Sequence, residues 1–126
     1  MFLNQIFAIA VGGAIGSVFR FVTAYKINQL LGVRFPYGIL LVNVLGCLLI
    51  GFLGILLIDR MAISPVWRAG ILIGFLGGFT TFSTFAFDTF NLFEQGDHWV
   101  AILNILLSMV LCLLATLLGV FIGRSL

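Results

Sequence analysis

Gly77-Gly78-Phe79-Thr80-Thr81-Phe82-Ser83-Thr84-Phe85 brings two glycines, four hydroxyls and three phenylalanines together in an otherwise apolar chain. Hydrocarbon supplies no hydrogen-bond partner to a free backbone group or a stray hydroxyl. A segment rich in both therefore faces protein or a water-lined path when it lies at membrane depth. Gly77-Gly78 weakens a helix, and Thr80, Thr81, Ser83 and Thr84 compete for its backbone bonds. The sequence thus predicts a third membrane helix broken near Gly77–Thr80, with carbonyls freed for a cation and hydroxyls for an anion. Beyond the break, Phe82 and Phe85 are three residues apart and share a helical face. Their ring edges are electropositive and suit contact with a small anion without binding it as tightly as an ammonium.

The surrounding composition places this segment in a membrane protein. The chain is 63% hydrophobic and 8% charged, with a mean hydropathy of +1.31, whereas a soluble domain carries about 25% charged residues. A net charge of +2, spread along the chain without a basic run, excludes nucleic acid as a partner. Cys47 and Cys112 both fall in apolar runs and read as reduced packing residues. Met1 to Gln5 has no basic side chain ahead of the first apolar run, so that run reads as a permanent span.

Four spans of about twenty residues follow, near 6–25, 37–58, 66–93 and 99–122. Short connections make residues 1–126 one four-helix domain, with Tyr37, Trp67 and Trp99 at headgroup depth. Arg60, Arg68 and Arg124 fall on one side; Arg20, Lys26 and Arg34 fall on the other. Three basic residues against three, or three against two if Arg20 lies within the span, give almost no preferred orientation. The balance points to dual topology, with inverted copies able to pair antiparallel. Gly12-x-x-x-Gly16, Gly70-x-x-x-Gly74-x-x-x-Gly78 and Gly119-x-x-x-Gly123 favour close helix contacts. Four short helices leave little interior for a polar path, which also points to an oligomer.

Polar side chains at membrane depth mark the candidate site. Arg20 lies near the end of the first span and reads either as a snorkelling side chain or as a functional one. Asp88 lies inside the third span and reads as an ion-pair partner, a cap or a transport residue. Asn43, in the middle of the second span, either bonds across helices or offers its amide to an anion. In the fourth span Asn104, Ser108, Cys112 and Thr116 recur in steps of four, a polar track about 18 Å long.

Gly12-Gly13-x-x-Gly16-x-x-x-Arg20, Gly38…Asn43-x-x-Gly46 and Gly74-Phe75-Leu76-Gly77-Gly78-Phe79-Thr80-Thr81-Phe82-Ser83-Thr84-Phe85 together resemble the CrcB/Fluc family of fluoride channels. The resemblance runs through all four spans and implies an antiparallel, dual-topology homodimer in the bacterial inner membrane. It implies passive fluoride export through two pores, with a structural sodium ion at the dimer centre. It further implies that Phe82 and Phe85 line the ion path, with Asn43 as the pore amide and Ser108 and Thr116 in the track. Gly77 and Thr80 would give carbonyls to sodium, and Arg20 would supply positive potential near a vestibule. Ile39 stands where the family pattern has a hydroxyl residue, Cys112 where serine is usual, and Asn104 where some members have an aromatic hydroxyl.

Three other readings fit less well. A proton-coupled small multidrug transporter needs a carboxylate in the first span, and here the charged residue is Arg20. A purely structural subunit does not account for the regular fourth-span track. An enzyme would need a cluster of His, Cys or carboxylate groups, and His98 stands alone at a loop edge.

Overall fold

The computed structural model describes Met1–Leu126 and contains four helical stretches long and apolar enough to cross a membrane. Helix α1 runs Phe2–Leu31. Helix α2, Tyr37–Gly54, continues into wider π-helical turns over Ile55–Arg60. The third stretch comprises α3 (Pro65–Arg68), a π-helical run Ala69–Phe75, α4 (Leu76–Phe79) and α5 (Phe82–Glu94). Helix α6 spans His98–Ser125.

Local chemistry sets the connections. Gly32, at φ 90, closes α1, and its N–H donates to Asn28 O at 2.8 Å. The Asn28 side chain then reaches the next helix, where its Oδ1 accepts from Gly38 N at 2.9 Å. Pro65 opens α3, where its missing N–H leaves no helical bond unmade. Gly96, at φ 85, ends α5: its own N–H donates to Phe93 O, and Asp97 N–H donates to Leu92 O. That pair of bonds is a Schellman closure, and it turns the chain directly into α6.

Packing divides the bundle into two halves. Helix α1 lies mainly on the Ala69–Phe79 region, while α6 lies mainly on α2 and also contacts α5. The small-residue patterns serve these contacts within one chain. A methyl at Gly12 would overlap the Gly70 carbonyl, and one at Gly16 would overlap the Phe75 carbonyl. A methyl at Gly78 would stand 2.7 Å from Gly13 O. On the other half, Gly119 seats against Leu48 O and Gly51 against Thr116 O. All three glycine motifs are thus engaged inside the bundle and give no independent argument for self-association.

Only 23 of the 126 residues are buried, and large apolar side chains such as Phe7, Phe21, Leu113 and Phe121 point outward. In water such a surface would drive aggregation. In a bilayer, lipid covers it.

The glycine contacts predict a pair of opposite outcomes in thermal unfolding of the detergent-solubilised protein. Gly16→Ala forces a methyl against the Phe75 backbone and should destabilise the fold by roughly 1–3 kcal/mol. At Gly54 nothing lies within 4 Å of an added Cβ. Gly54→Ala should therefore be neutral or stabilising by up to about 1 kcal/mol.

Candidate functional site

The third stretch changes conformation at Thr80 and Thr81. Thr80 has φ −93 and ψ 158, and Thr81 has φ −152 and ψ 123, both extended. Gly77 and Gly78 are still helical, so the extended residues are the two threonines that follow the glycines. Within hydrocarbon such backbone needs partners, and each polar group here finds one. Thr80 N–H donates to Leu76 O at 3.0 Å, and Thr80 Oγ1 donates to the same carbonyl at 3.0 Å. Thr81 N–H donates to Asn43 Oδ1 at 2.8 Å, and Asn43 Nδ2 donates to Thr81 O at 2.9 Å. One side-chain amide therefore pairs with both polar groups of Thr81, as a neighbouring strand would.

Gly46, one turn after Asn43, lets α2 come this close, since a methyl there would overlap the Thr80 side chain. From the opposite side Arg20 Nη1 donates to Thr80 O at 3.4 Å, a long bond. Thr81 Oγ1 caps α5 by accepting from Thr84 N–H at 3.1 Å, and donates to Thr84 Oγ1 at 3.2 Å.

Against this break opens a cleft of about 280 Å³ that includes Asn43, Thr80, Phe82, Phe85, Ser108 and Cys112 in its wall. Three helices supply it: Asn43 from α2, the phenylalanines from α5, and Ser108 with Cys112 from α6. Phe82 and Phe85 stand with ring centroids 5.3 Å apart, tilted at 49°. Phe85 is buried at 7% exposure, whereas Phe82 is 71% exposed on the open side of the cleft.

The fourth-span track is distributed over several surroundings. Asn104 is buried, its Nδ2 donating to Thr89 Oγ1 at 2.9 Å, and Thr89 Oγ1 donates in turn to Phe85 O at 2.8 Å. Ser108 Oγ donates to Asn104 Oδ1 at 3.4 Å and lines the cleft. Thr116 Oγ1 donates to Cys47 O at 3.1 Å, tying α6 to α2. Of the four, Ser108 and Cys112 face the cleft, and Asn104 and Thr116 hold helices together.

Arg20 and Thr84 lie in an adjoining cleft of about 420 Å³ with Ser17, Asn28 and Asp88. Asp88 also borders a polar recess shared with Asn91 and Gln95. Ser83 is exposed beside the break, with its Oγ 3.3 Å from Thr81 Oγ1. Sequence reasoning missed Thr81 as the anchored residue, Thr89 as the partner of Asn104, and Cys47 and Met109 as lining groups. Spacing carried a signal for two of these: Cys47 lies four residues after Asn43, and Thr89 four after Phe85, hence on the same faces.

The break also leaves helix-end carbonyls. The N–H groups of Thr80 and Thr81 go to Leu76 O and Asn43 Oδ1, so neither closes a helical bond to Gly77 O. Gly77 is exposed, with no atom within 4 Å of an added Cβ. An oxygen of this kind fits a hard monovalent cation, which takes neutral carbonyl ligands. Thr80 O fits less freely, because the Arg20 guanidinium already approaches it.

The Asn43–Thr81 pairing predicts that Asn43→Ala destabilises the fold by more than a side-chain truncation at a lipid-facing site. It leaves a buried N–H and a buried C=O unpaired, at about 1–3 kcal/mol each. Thermal unfolding compared with Leu41→Ala, on an exposed face of the same helix, provides the measurement. Equal losses in the two variants would mean that the amide does not support the break.

Comparison with known proteins places this architecture. The family described as "CrcB-like protein, Camphor Resistance (CrcB)" matches residues 7–120. A protein of Citrifermentans bemidjiense named "Fluoride-specific ion channel FluC" is 44% identical over 124 residues, covering 98% of this chain and 100% of the relative. A protein of the same name from Geobacter sulfurreducens is 46% identical over the same shares. A third from Methylococcus capsulatus is 48% identical over 97% of this chain and 54% of its own length. With the match reaching from α1 into α6 and so taking in the break and every wall of the cleft, the chain belongs to the CrcB-like family.

Proposed function

We propose that this protein is a fluoride channel that lets cytoplasmic fluoride leave passively across the bacterial inner membrane. The observation that carries the reading is the cleft at the break, where amide, hydroxyl and aromatic groups from three helices meet at membrane depth. Near-full-length relatives that are named fluoride-specific channels support the choice of ion.

The chemistry of the cleft suits that ion. Fluoride is small and strongly hydrated, so a path must replace its water with donors yet hold no deep trap. Asn43 Nδ2 carries two N–H groups and uses one on Thr81 O, which leaves one donor for the cleft. Ser108 Oγ makes only a 3.4 Å bond and can turn toward an ion. Phe82 and Phe85 add ring edges, which attract an anion weakly. No ammonium or guanidinium lines this cleft; Arg20 stands in the adjoining one, where it raises the local potential for an approaching anion. The assembly is a channel without catalytic chemistry.

The functional unit in this reading is an antiparallel homodimer. A single chain leaves the cleft open along the side where Phe82 is exposed, and a second copy closes it. The balanced basic residues favour insertion in both orientations. Gly77, open and exposed at the break, lies where two inverted copies meet. There the Gly77 carbonyls, with those of Thr80, would hold a structural sodium ion. Bound sodium would supply a fixed positive charge between the copies.

Fluoride efflux from liposomes holding the purified protein, followed with a fluoride electrode, tests the function. Fluoride should pass far faster than chloride, and equal passage would sink the reading. Phe82→Ile or Phe85→Ile should cut fluoride flux by about tenfold or more, a barrier change of roughly 1.4 kcal/mol, with assembly intact. Unchanged flux removes the rings from the mechanism.

The dimer is tested in two arms. A reporter fused after Leu126 should be active on both sides of the membrane, and activity on one side alone defeats the antiparallel arrangement. Gly77→Val, which a single chain has room for, should abolish the dimer in size-exclusion and cross-linking measurements. A normal dimer would move the interface away from the break.

A further inference from the structure

Three sulfur-containing residues line the same cleft. Cys47 comes from α2, and Met109 and Cys112 come from successive turns of α6. Both cysteines are free and half-buried, and they line one cleft from the two sides of the α2–α6 contact. The contact itself is fixed one to two turns further along both helices. Thr116 Oγ1 donates to Cys47 O at 3.1 Å, and Gly51 and Gly119 allow the two backbones to touch. The sulfurs thus sit on two closely packed helices beside an open volume of about 280 Å³.

We propose that Cys47, Cys112 and Met109 form an acceptor site for a thiophilic closed-shell cation such as Hg²⁺, Ag⁺ or Cu⁺, and that its occupation closes the cleft. Thiolate and thioether are the ligands that such soft ions prefer, and two thiolates meet the linear coordination that Hg²⁺ favours. With Hg²⁺ the step is a proton displacement without redox change. Two S–H bonds break, two S–Hg bonds form, and two protons leave to water. Met109 provides a neutral third ligand at the rim.

The site is independent of fluoride conduction in its binding chemistry, and it rests on the channel reading only for its effect on flux. Its position gives that effect a reason. Cys112 lies one turn beyond Ser108 and lines the same cleft as Phe82 and Phe85. A bridged metal there is neutral, its charge balanced by the two thiolates, and it blocks the passage by filling part of it and removing the thiol donors that line it.

Intact mass spectrometry of the purified full-length protein after Hg²⁺ addition and brief exposure to a competing small thiol tests the binding. The expected product carries one mercury per chain with two protons lost. Cys47→Ser and Cys112→Ser should each retain the metal about tenfold less well or worse. Met109→Leu should retain it less well than the unmodified chain but better than either serine variant, and retention equal to the unmodified chain would remove Met109 from the site. Two mercury atoms per chain, one on each thiol, would overturn the proposal, as would undiminished retention in either serine variant.

The flux arm uses the same protein in liposomes, with each variant's inhibition measured against its own untreated rate. Hg²⁺ should suppress fluoride efflux in the unmodified protein and lose its potency about tenfold in Cys47→Ser. Efflux untouched by Hg²⁺ in protein that carries the bridged metal would overturn the closing role. Absence of efflux before any metal is added would instead strike the channel reading and leave the mass result standing.

Discussion

The two-way bond between the Asn43 amide and the Thr81 backbone is the constraint on which the rest of this structure depends. A membrane helix satisfies its own backbone; an extended pair of residues does not, and hydrocarbon offers nothing in exchange. At Thr80 and Thr81 the chain meets that demand with side chains from elsewhere. The α2 amide serves both groups of Thr81, and the α1 guanidinium approaches the carbonyl of Thr80. Thr80 itself turns its N–H and hydroxyl back to Leu76 O. The break is therefore a tertiary feature. It exists because three helices meet at one depth, and it holds them there.

That arrangement also decides where a path can run. Before the break, the chain packs its glycine face on α1; after it, α5 leaves that groove and contacts α6. Helix α2 lies beside both halves and carries Asn43 at the junction. The cleft opens at the step between the halves. The first turn of α5 then places one phenylalanine outward and the next inward, at 71% and 7% exposure. The inner ring is further braced through its backbone, since Phe85 O accepts from Thr89 Oγ1, which accepts in turn from Asn104. Two of the polar residues deep in the bundle thus act on the cleft by positioning its aromatic wall.

Much of this was legible in the sequence, for physical reasons that also mark the limit. Length and hydropathy dictate the four apolar helices, because the bilayer core demands a fixed run of apolar residues. The clash of Gly77–Thr84 with an apolar surround marked the third helix as the place to look. What periodicity cannot supply is which neighbour each face meets. Steps of four drift by about 40° each on a helix of 3.6 residues per turn, so Asn104 and Thr116 end about 120° apart. Their partners accordingly differ, Thr89 on α5 for one and Cys47 on α2 for the other. The glycine motifs show the same limit. Each marks a face that allows close approach, and only the packed chain shows that α1 and α6 already fill those faces from within. Cys47 read as packing because Cys112, with which it lines one cleft, is 65 residues away and comes beside that cleft only after folding.

The donors that remain uncommitted on a single chain are few, in keeping with the proposed pairing of two copies. Thr80, Thr89 and Thr116 spend their hydroxyl hydrogens on carbonyls within the bundle. Thr81 spends its own on Thr84. The cleft is left with the second N–H of Asn43, the loosely bonded Ser108 hydroxyl and the weak thiol donors. An ion that surrenders a full hydration shell cannot be satisfied by so few groups, and ring edges alone do not make up the difference. A second copy set against the exposed Phe82 side would bring its own aromatic edges and exclude lipid from the open wall. Scarcity of free donors also fits a conducting role better than a storing one. A site with many strong donors would bind a strongly hydrated anion and keep it, whereas a few donors spaced along aromatic edges let it move on.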